Sequence, residues 1–394
     1  GVRHMITLPD SATSRAQFVT MLQETGAVHS SAVAHAFSTV PRELFVSLFY
    51  QHESRTWVPY SKETHGEQWL PLIYRDEALV TAFDSQNIPT SSSSMPSIMA
   101  TMLEALHVQP GMDILEIGTG TGYNAALLAT LTGNPALVTT IEIDEELAQQ
   151  AEQILYACVG PVQVIRGDGG TDIQPPRQYQ RMIATASAPG IPRAWYAQPA
   201  PGGRLVMPLQ GSLNASGLLV IEKMLDETNH ASGSFFPIPL SFMPMRSLSS
   251  ANEPSTRELF QMPAQERLSV TEAERSIIEA LKEQDFRWFL EWSWPSEGTL
   301  YLTRMTLRDG RQAMVLKDPC QRAILQLTQE PNGCWFGHQC GTYALWQHMR
   351  RSYEAYEELG RPRKETFHVR IDGEQACLSV RSGETQIPLQ DIFL

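Results

Sequence analysis

The residues best able to do chemistry sit in one glycine-rich run. Leu115-Glu116-Ile117-Gly118-Thr119-Gly120-Thr121-Gly122-Tyr123-Asn124 sets Gly118, Gly120 and Gly122 between a strand-like segment and a helix-forming one. Glycines at such positions let the chain turn sharply and bring bare backbone to a ligand, while the helix that follows presents unpaired N–H groups. A dinucleotide fingerprint reads G-x-G-x-x-G and seats a pyrophosphate on the helix end. Here the pattern is E-x-G-x-G-x-G with an acid at its head, which suits a nucleoside cofactor without phosphates, S-adenosylmethionine. Glu142 ends the next strand-like run, twenty residues beyond Gly122 (142 − 122), where a carboxylate can hold both ribose hydroxyls. Gly167-Asp168-Gly169 follows the third strand-like run and offers a short acceptor to an adenine amino group, with a simple turn former as the competing reading for Asp168. Glu116 reads either as a cofactor contact or as an organiser of the loop. Thr119, Tyr123, Asn124, Ile143 and Gly169 complete the expected cofactor set.

A run of four serines, residues 91–94, precedes Met95 and Pro96. Methyl transfer from a sulfonium is an in-line displacement, and a carboxylate acceptor with a pKa near ~4 is already ionised at neutral pH, so position rather than a general base is required. Holding the oxygen and the methyl in attacking geometry supplies several kcal/mol. Hydroxyl donors orient a carboxylate without the full charge of an arginine, whose ion pair would stabilise the ground state. Ser93 and Ser94 fit that role, and Ser94 is placed at the cofactor as well. Ser91 and Ser92 read equally as loop serines, and a serine-rich stretch is compatible with a flexible lid. Thr185, in IATASAP, lies at a strand's C-terminal end, where open α/β sheets bind ligands. It is expected at both the cofactor and the acceptor, with a structural hydroxyl as the alternative. Arg246 is assigned either to the substrate or to a linker.

These side chains need a scaffold. The runs DILEI, VTTIEI, VQVIRG, RMIATA, GRLVMPL and GLLVIEK alternate with helical segments from about 97 to 224, the pattern of an α/β fold with a mostly parallel, buried sheet. Residues 5–80, with a helical start near 18–22, the segment AFSTVPRELFV and an aromatic-rich stretch at 57–69, read as an N-terminal cap. Residues 81–245 read as the cofactor-binding domain, 246–270 as a Ser- and Pro-rich linker, and 271–394 as an added C-terminal α+β domain. In a long helix near 342–359, Trp346, Met349, Tyr353 and Tyr356 fall at helical spacing and read as core.

Composition narrows the function classes. Hydrophobic residues at 42% and charged residues at 19% exclude a disordered chain. A balance of 30 basic against 43 acidic residues, net −13, does not favour nucleic acid or anionic membrane, and neither is expected as a partner. Five cysteines without a C-x-x-C pair argue against a disulfide framework and for a reducing compartment. Cys334, His338 and Cys340 match no standard zinc spacing, and no metal is expected. With no secretion signal and no long apolar run, a cytoplasmic location is expected, and residues 1–4 ahead of Met5 read as a cloning remnant.

Over residues 40–244 the sequence resembles the protein-L-isoaspartate O-methyltransferase family. The resemblance rests on VPRELFV, the Ser94-Met95-Pro96 turn, LEIGTGTGYNA, IEID, GDG, IATASAPGIP, and the Phe242-Met243-Pro244 segment. It implies the family's S-adenosylmethionine-dependent Rossmann-like sheet and carboxyl O-methylation, with Ser94 matching the family's hydroxyl at cofactor and acceptor. One departure stands out. The family's repair enzymes read roughly Thr-aliphatic-Ser-x-Pro-His at the turn where this chain has Thr90-Ser91-Ser92-Ser93-Ser94-Met95-Pro96-Ser97, with serine at the aliphatic and histidine positions. The serine run, the segment YRDEALVT and a C-terminal third that repair enzymes are expected to lack resemble a branch found beside ATP-grasp ligases in the biosynthesis of ester- or amide-bridged ribosomal peptides, the graspetides. That branch implies a ribosomal peptide cyclised by an ATP-grasp ligase as partner, an aspartate as acceptor, and a methyl ester that closes to an aspartimide. It also implies a C-terminal domain that recognises the peptide. Repair of isoaspartate in damaged proteins is the alternative. A subunit that holds cofactor or peptide without turnover is the reading of a different class, and the intact glycine loop, Glu142, Asp168 and Ser94 count against it.

Overall fold

The computed structural model describes residues 11–394 except 172, 174–176, 227, 237, 239, 241, 246–252 and 296, so residues 1–4 and Arg246 lie outside the described residues. Near the N-terminus, β1 (Leu48–Glu53), β2 (Thr56–Ser61), β3 (Leu79–Phe83) and β4 (Pro89–Ser93) form an antiparallel sheet in the order β2-β1-β3-β4. The expected boundary at residue 80 therefore falls inside β3, and the N-terminal region is more than a cap: it helps build the sheet that carries the serines. The serine run itself forms a strand for most of its length. Leu79 faces Ser93, Val80 faces Ser92 and Ala82 faces Ser91 across the β3–β4 ladder, which satisfies backbone groups that a free loop would leave to water.

The cofactor-binding sheet grows from β5 (Ile114–Ile117), β6 (Val138–Glu142), β7 (Gln163–Arg166), β8 (Tyr179–Ala184) and β9 (Pro199–Gln210), all paired in parallel. The sequence of β5 is apolar almost throughout because helices cover both faces, which leaves Ile114 and Leu115 fully buried. β10 (Ser216–Lys223) and β11 (Ala231–Phe236) extend the sheet antiparallel. A separate antiparallel sheet follows, made of β12 (Leu268–Ser269), β13 (Tyr301–Thr306), β14 (Gln312–Asp318), β15 (Ala323–Gln329) and β16 (Trp335–Cys340).

The chain then returns to the large sheet. β17 (Phe367–Ile371) pairs antiparallel with β11, and β18 (Ala376–Ser382) and β19 (Thr385–Asp391) continue outward, giving ten strands in the order β19-β18-β17-β11-β10-β9-β8-β5-β6-β7. This corrects the expected division at 271, because the last strands belong to the cofactor-binding sheet. One apolar core runs from Leu115 and Met182 through Trp288 and Trp346 to Phe367 and Leu378. Trp346, Met349 and Tyr356 are buried in it, on the helix Leu345–Glu358, and Tyr353 packs against it. The expected linker is likewise structured from 253 onward. Ser255 and Glu258 form a reciprocal capping box on the helix Thr256–Phe260, whose Leu259 packs on Ile324 and Cys340. Among the described residues no helix is long and apolar enough to cross a membrane.

Because the core is shared, Leu378→Ala should destabilise the cofactor-binding half as well as the C-terminal strands, by about 2–5 kcal/mol. Calorimetry should show a single shifted transition; two transitions with only one displaced would contradict a shared core.

Candidate active site

A cavity of about 530 Å³ opens at the C-terminal ends of the parallel strands, the usual ligand position for such sheets. One wall is the glycine loop, a second is Glu142, Ile143, Asp168 and Gly169, and a third is the serine strand with Ser94. Thr185, Ala186 and residues 242–245 complete it.

The loop is shaped by positive φ at Gly118, Gly120 and Gly122, +91°, +53° and +88°. Gly118 and Gly120 line the cavity with Thr119. Gly122 does not. It caps the helix Tyr123–Thr132, and a Cβ there would press on Ala151 and Leu155 at 3.3–3.4 Å, so its expected cofactor contact gives way to close helix packing. Glu116 is also corrected. It is fully buried and absent from the cavity wall: Oε2 accepts from Asn124 Nδ2 at 2.6 Å and Oε1 from Thr140 Oγ1 at 2.7 Å, while Thr119 and Thr140 share a further hydrogen bond. Burial pushes its carboxyl up to about 7. Glu116 organises the loop from beneath.

Glu142 accepts from Gly120 N at 2.9 Å and Asp144 N at 3.1 Å, which fixes a carboxylate on the cavity wall with lone pairs remaining for a diol. Ile143, half exposed beside it, adds an apolar surface. Asp168 forms the expected turn, its Oδ1 accepting from Gly170 N at 2.8 Å, and the residue also lines the cavity. At Gly169 a Cβ would meet Ile117 Cγ2 at 2.7 Å, so glycine is required where the chain passes. Thr185 donates its hydroxyl hydrogen to the Gly118 carbonyl at 2.7 Å. It braces the loop, and the catalytic donor expected of it is not available to an acceptor.

The serines divide. Ser91 Oγ accepts from Thr81 Oγ1, and Ser93 Oγ accepts from Arg42 Nε and Nη2. The Ser94 carbonyl also accepts from Arg42, while its hydroxyl has no partner among the described residues and is free to meet a carboxylate on the cavity wall. Arg42, fully buried, escaped the sequence reading of site residues. Its signal was present as a lone cation inside the apolar stretch AFSTVPRELFV. Tyr123 and Asn124 also belong to the cavity wall; Asn124 Oδ1 is buried without a partner among the described residues, whereas the Tyr123 ring packs against Phe37 and Phe45. In the C-terminal part, Cys340 Sγ lies 3.5 Å from His338 Nε2, and among the described residues no group of three or more His, Cys, Asp or Glu side chains is gathered.

A family model described as protein-L-isoaspartate(D-aspartate) O-methyltransferase matches residues 13–232. A protein-L-isoaspartate O-methyltransferase of Pyrococcus horikoshii is 35% identical over 226 residues, 56% of this chain and 90% of that one. One from Pyrococcus abyssi is 34% identical over 226 residues, covering 56% and 92%. A solved structure described as a protein-L-isoaspartate O-methyltransferase shares the fold at TM-score 0.50 and 19% identity, across 91% of this chain and 96% of that one. Its span reaches well into the C-terminal third, which overturns the expectation that proteins so named lack such a part.

Replacing Glu142 by Ala should weaken binding of S-adenosylhomocysteine about 10- to 100-fold, the worth of one or two hydrogen bonds to a charged group. Unchanged affinity by calorimetry would remove Glu142 from the cofactor site.

Proposed function

Since the chain belongs to the protein-L-isoaspartate(D-aspartate) O-methyltransferase family, we propose that this S-adenosylmethionine-dependent carboxyl O-methyltransferase acts on an aspartate side chain of a ribosomal peptide cyclised by an ATP-grasp ligase. The observation that carries the reading is the serine strand, residues 91–93, continued by Ser94, on the cavity wall that the glycine loop and Glu142 share. Ser93 stands at the aliphatic position of the repair enzymes' turn, and Ser97, just past Pro96, at the histidine position. Isoaspartate in damaged proteins is the second reading, favoured by the names of the relatives and by the solved structure that spans the C-terminal part.

The cofactor, when bound, supplies an electrophilic methyl on a sulfonium. Glu142 would hold the ribose hydroxyls and Asp168 would accept from the adenine amino group. Ser94 donates to the acceptor carboxylate and fixes its direction of approach. No proton need leave that carboxylate, because it is ionised at neutral pH. The second step follows from leaving-group chemistry. The backbone nitrogen after the esterified residue attacks the ester carbonyl, a C–N bond forms, the C–O bond to methoxide breaks, and the amide proton departs with methanol. A ring-constrained peptide favours this closure by holding nitrogen and ester together.

Intact mass of three peptides incubated with enzyme and S-adenosylmethionine tests the proposal: an ATP-grasp-cyclised peptide, its linear form and an ordinary isoaspartyl peptide. A transient methyl gain followed by net loss of one water, on the cyclised peptide alone, is expected. Methylation of the isoaspartyl peptide alone would overturn it in favour of repair.

A further inference from the structure

The methyl transfer described above leaves a buried charge without a task. The Arg42 guanidinium is fully buried and forms no ion pair among the described residues, its neighbour Glu43 being paired with Arg15. Backbone carbonyls solvate it instead: Nη1 donates to Ile73 at 2.8 Å and Arg75 at 3.2 Å, and Nη2 to Glu77 and Ser94, each at 3.2 Å. Burial lowers its pKa to about 10, which leaves it a cation at neutral pH. Tyr74, Tyr123 and Asp76 are the groups whose fields reach it, and Asp76 already accepts from Ser97 N. A buried cation without a counter-ion is costly, and two of the residues that accept its hydrogen bonds, Ser93 and Ser94, line the cavity.

The route to that cavity is Ser93. Arg42 Nε and Nη2 donate to Ser93 Oγ at 3.3 and 3.2 Å. With its lone pairs engaged, the hydroxyl has only its hydrogen left to offer. Among the described residues no acceptor takes that hydrogen, although Ser93 is 3% exposed and lies on the cavity wall. Ser93 shares a strand face with Ser91, two residues back, and Ser91 Oγ lies 3.7 Å from the point where a Cβ on Gly120 would stand. That face is turned to the glycine loop.

We propose that Arg42 is a positioning residue for the acceptor: it aims the Ser93 hydroxyl hydrogen at the substrate carboxylate and sets a fixed cation behind that neutral donor, so that the cavity selects a carboxylate over its isosteric amide. The inference rests on the carboxyl-methylation reading above. It reconciles two requirements. Direct contact with a guanidinium would stabilise the carboxylate too well to let it attack, whereas a cation one hydroxyl away attracts the anion and strengthens the hydroxyl as a donor.

The test uses the full chain and whichever of the three peptides the wild-type protein methylates. Ser93→Ala should lower kcat/KM about tenfold, as one lost hydrogen bond would, with affinity for S-adenosylhomocysteine within about twofold. Arg42→Lys, which keeps the charge but loses the two-donor fork, should cost about tenfold in the native background and less than about threefold in Ser93→Ala, because the two act as a unit. Equal cost of Arg42→Lys in both backgrounds would overturn the proposal and leave Arg42 a structural residue. An independent readout keeps native Arg42 in place. The thiol introduced by Ser93→Cys should be alkylated by iodoacetamide with a midpoint below the ~8.5 of an ordinary thiol, since a cation favours the thiolate; a midpoint at or above that value would overturn the proposal. If the wild-type protein methylates none of the peptides, the carboxyl-methylation reading has failed, and the thiol titration alone decides whether Arg42 charges this position.

Discussion

Two carboxylates hold the glycine loop, and the rest of the site takes its shape from that grip. Glu116 ties the strand β5, the neighbouring strand through Thr140, and the following helix through Asn124 from below. Glu142 takes the Gly120 amide from in front. The loop's three glycines have positive φ, a conformation that costs little for glycine and much for other residues, so the backbone is bent without strain and then held by carboxyl acceptors. Thr185 closes the ring from the adjacent strand by donating to Gly118. A loop fixed on three sides can present bare backbone to a cofactor without first having to be ordered, which lowers the entropic cost of binding.

Much of this was legible in the sequence. The βα alternation follows from periodicity, and the glycine run, Glu142 and Asp168 come together on one cavity wall because their spacing is set by the local path of strand, turn and helix. What the sequence concealed depends on contacts made far along the chain. Glu116 and Gly122 sit inside the motif yet face away from the cavity, since one reaches beneath the loop to a neighbouring strand and the other meets the next helix. The serines look like a loop because strand pairing with residues 79–83 leaves no mark in their own composition. Arg42 lies 51 residues before the serine whose oxygen it holds, and β17 finds β11 across more than a hundred intervening residues. Hydrophobic pattern identifies strands. It does not name their partners.

The added C-terminal strands bear on the site through the fold. The segment that begins with Thr185 at the cavity continues to Gly190 and Ile191, where Ile191 N donates to Ile392 O at 2.6 Å and Leu394 N donates back to Ile191 O at 3.0 Å. A Cβ on Gly190 would stand 2.5 Å from the Ile392 carbonyl, so only glycine admits this approach. Arg193 stacks over Phe393, and Phe393 meets Tyr196 edge-on. On the cavity side, Ser187 N donates to Met243 O and Met245 N donates to Ser187 O, both at 3.0 Å, which ties residues 242–245 to the same segment. This part of the cavity wall is thus tied, through residues 185–191, to the end of the ten-stranded sheet. A wall tied in this way resists the small displacements that would spoil an in-line approach, and alignment of the acceptor is the main demand that a reaction without a general base makes of its enzyme.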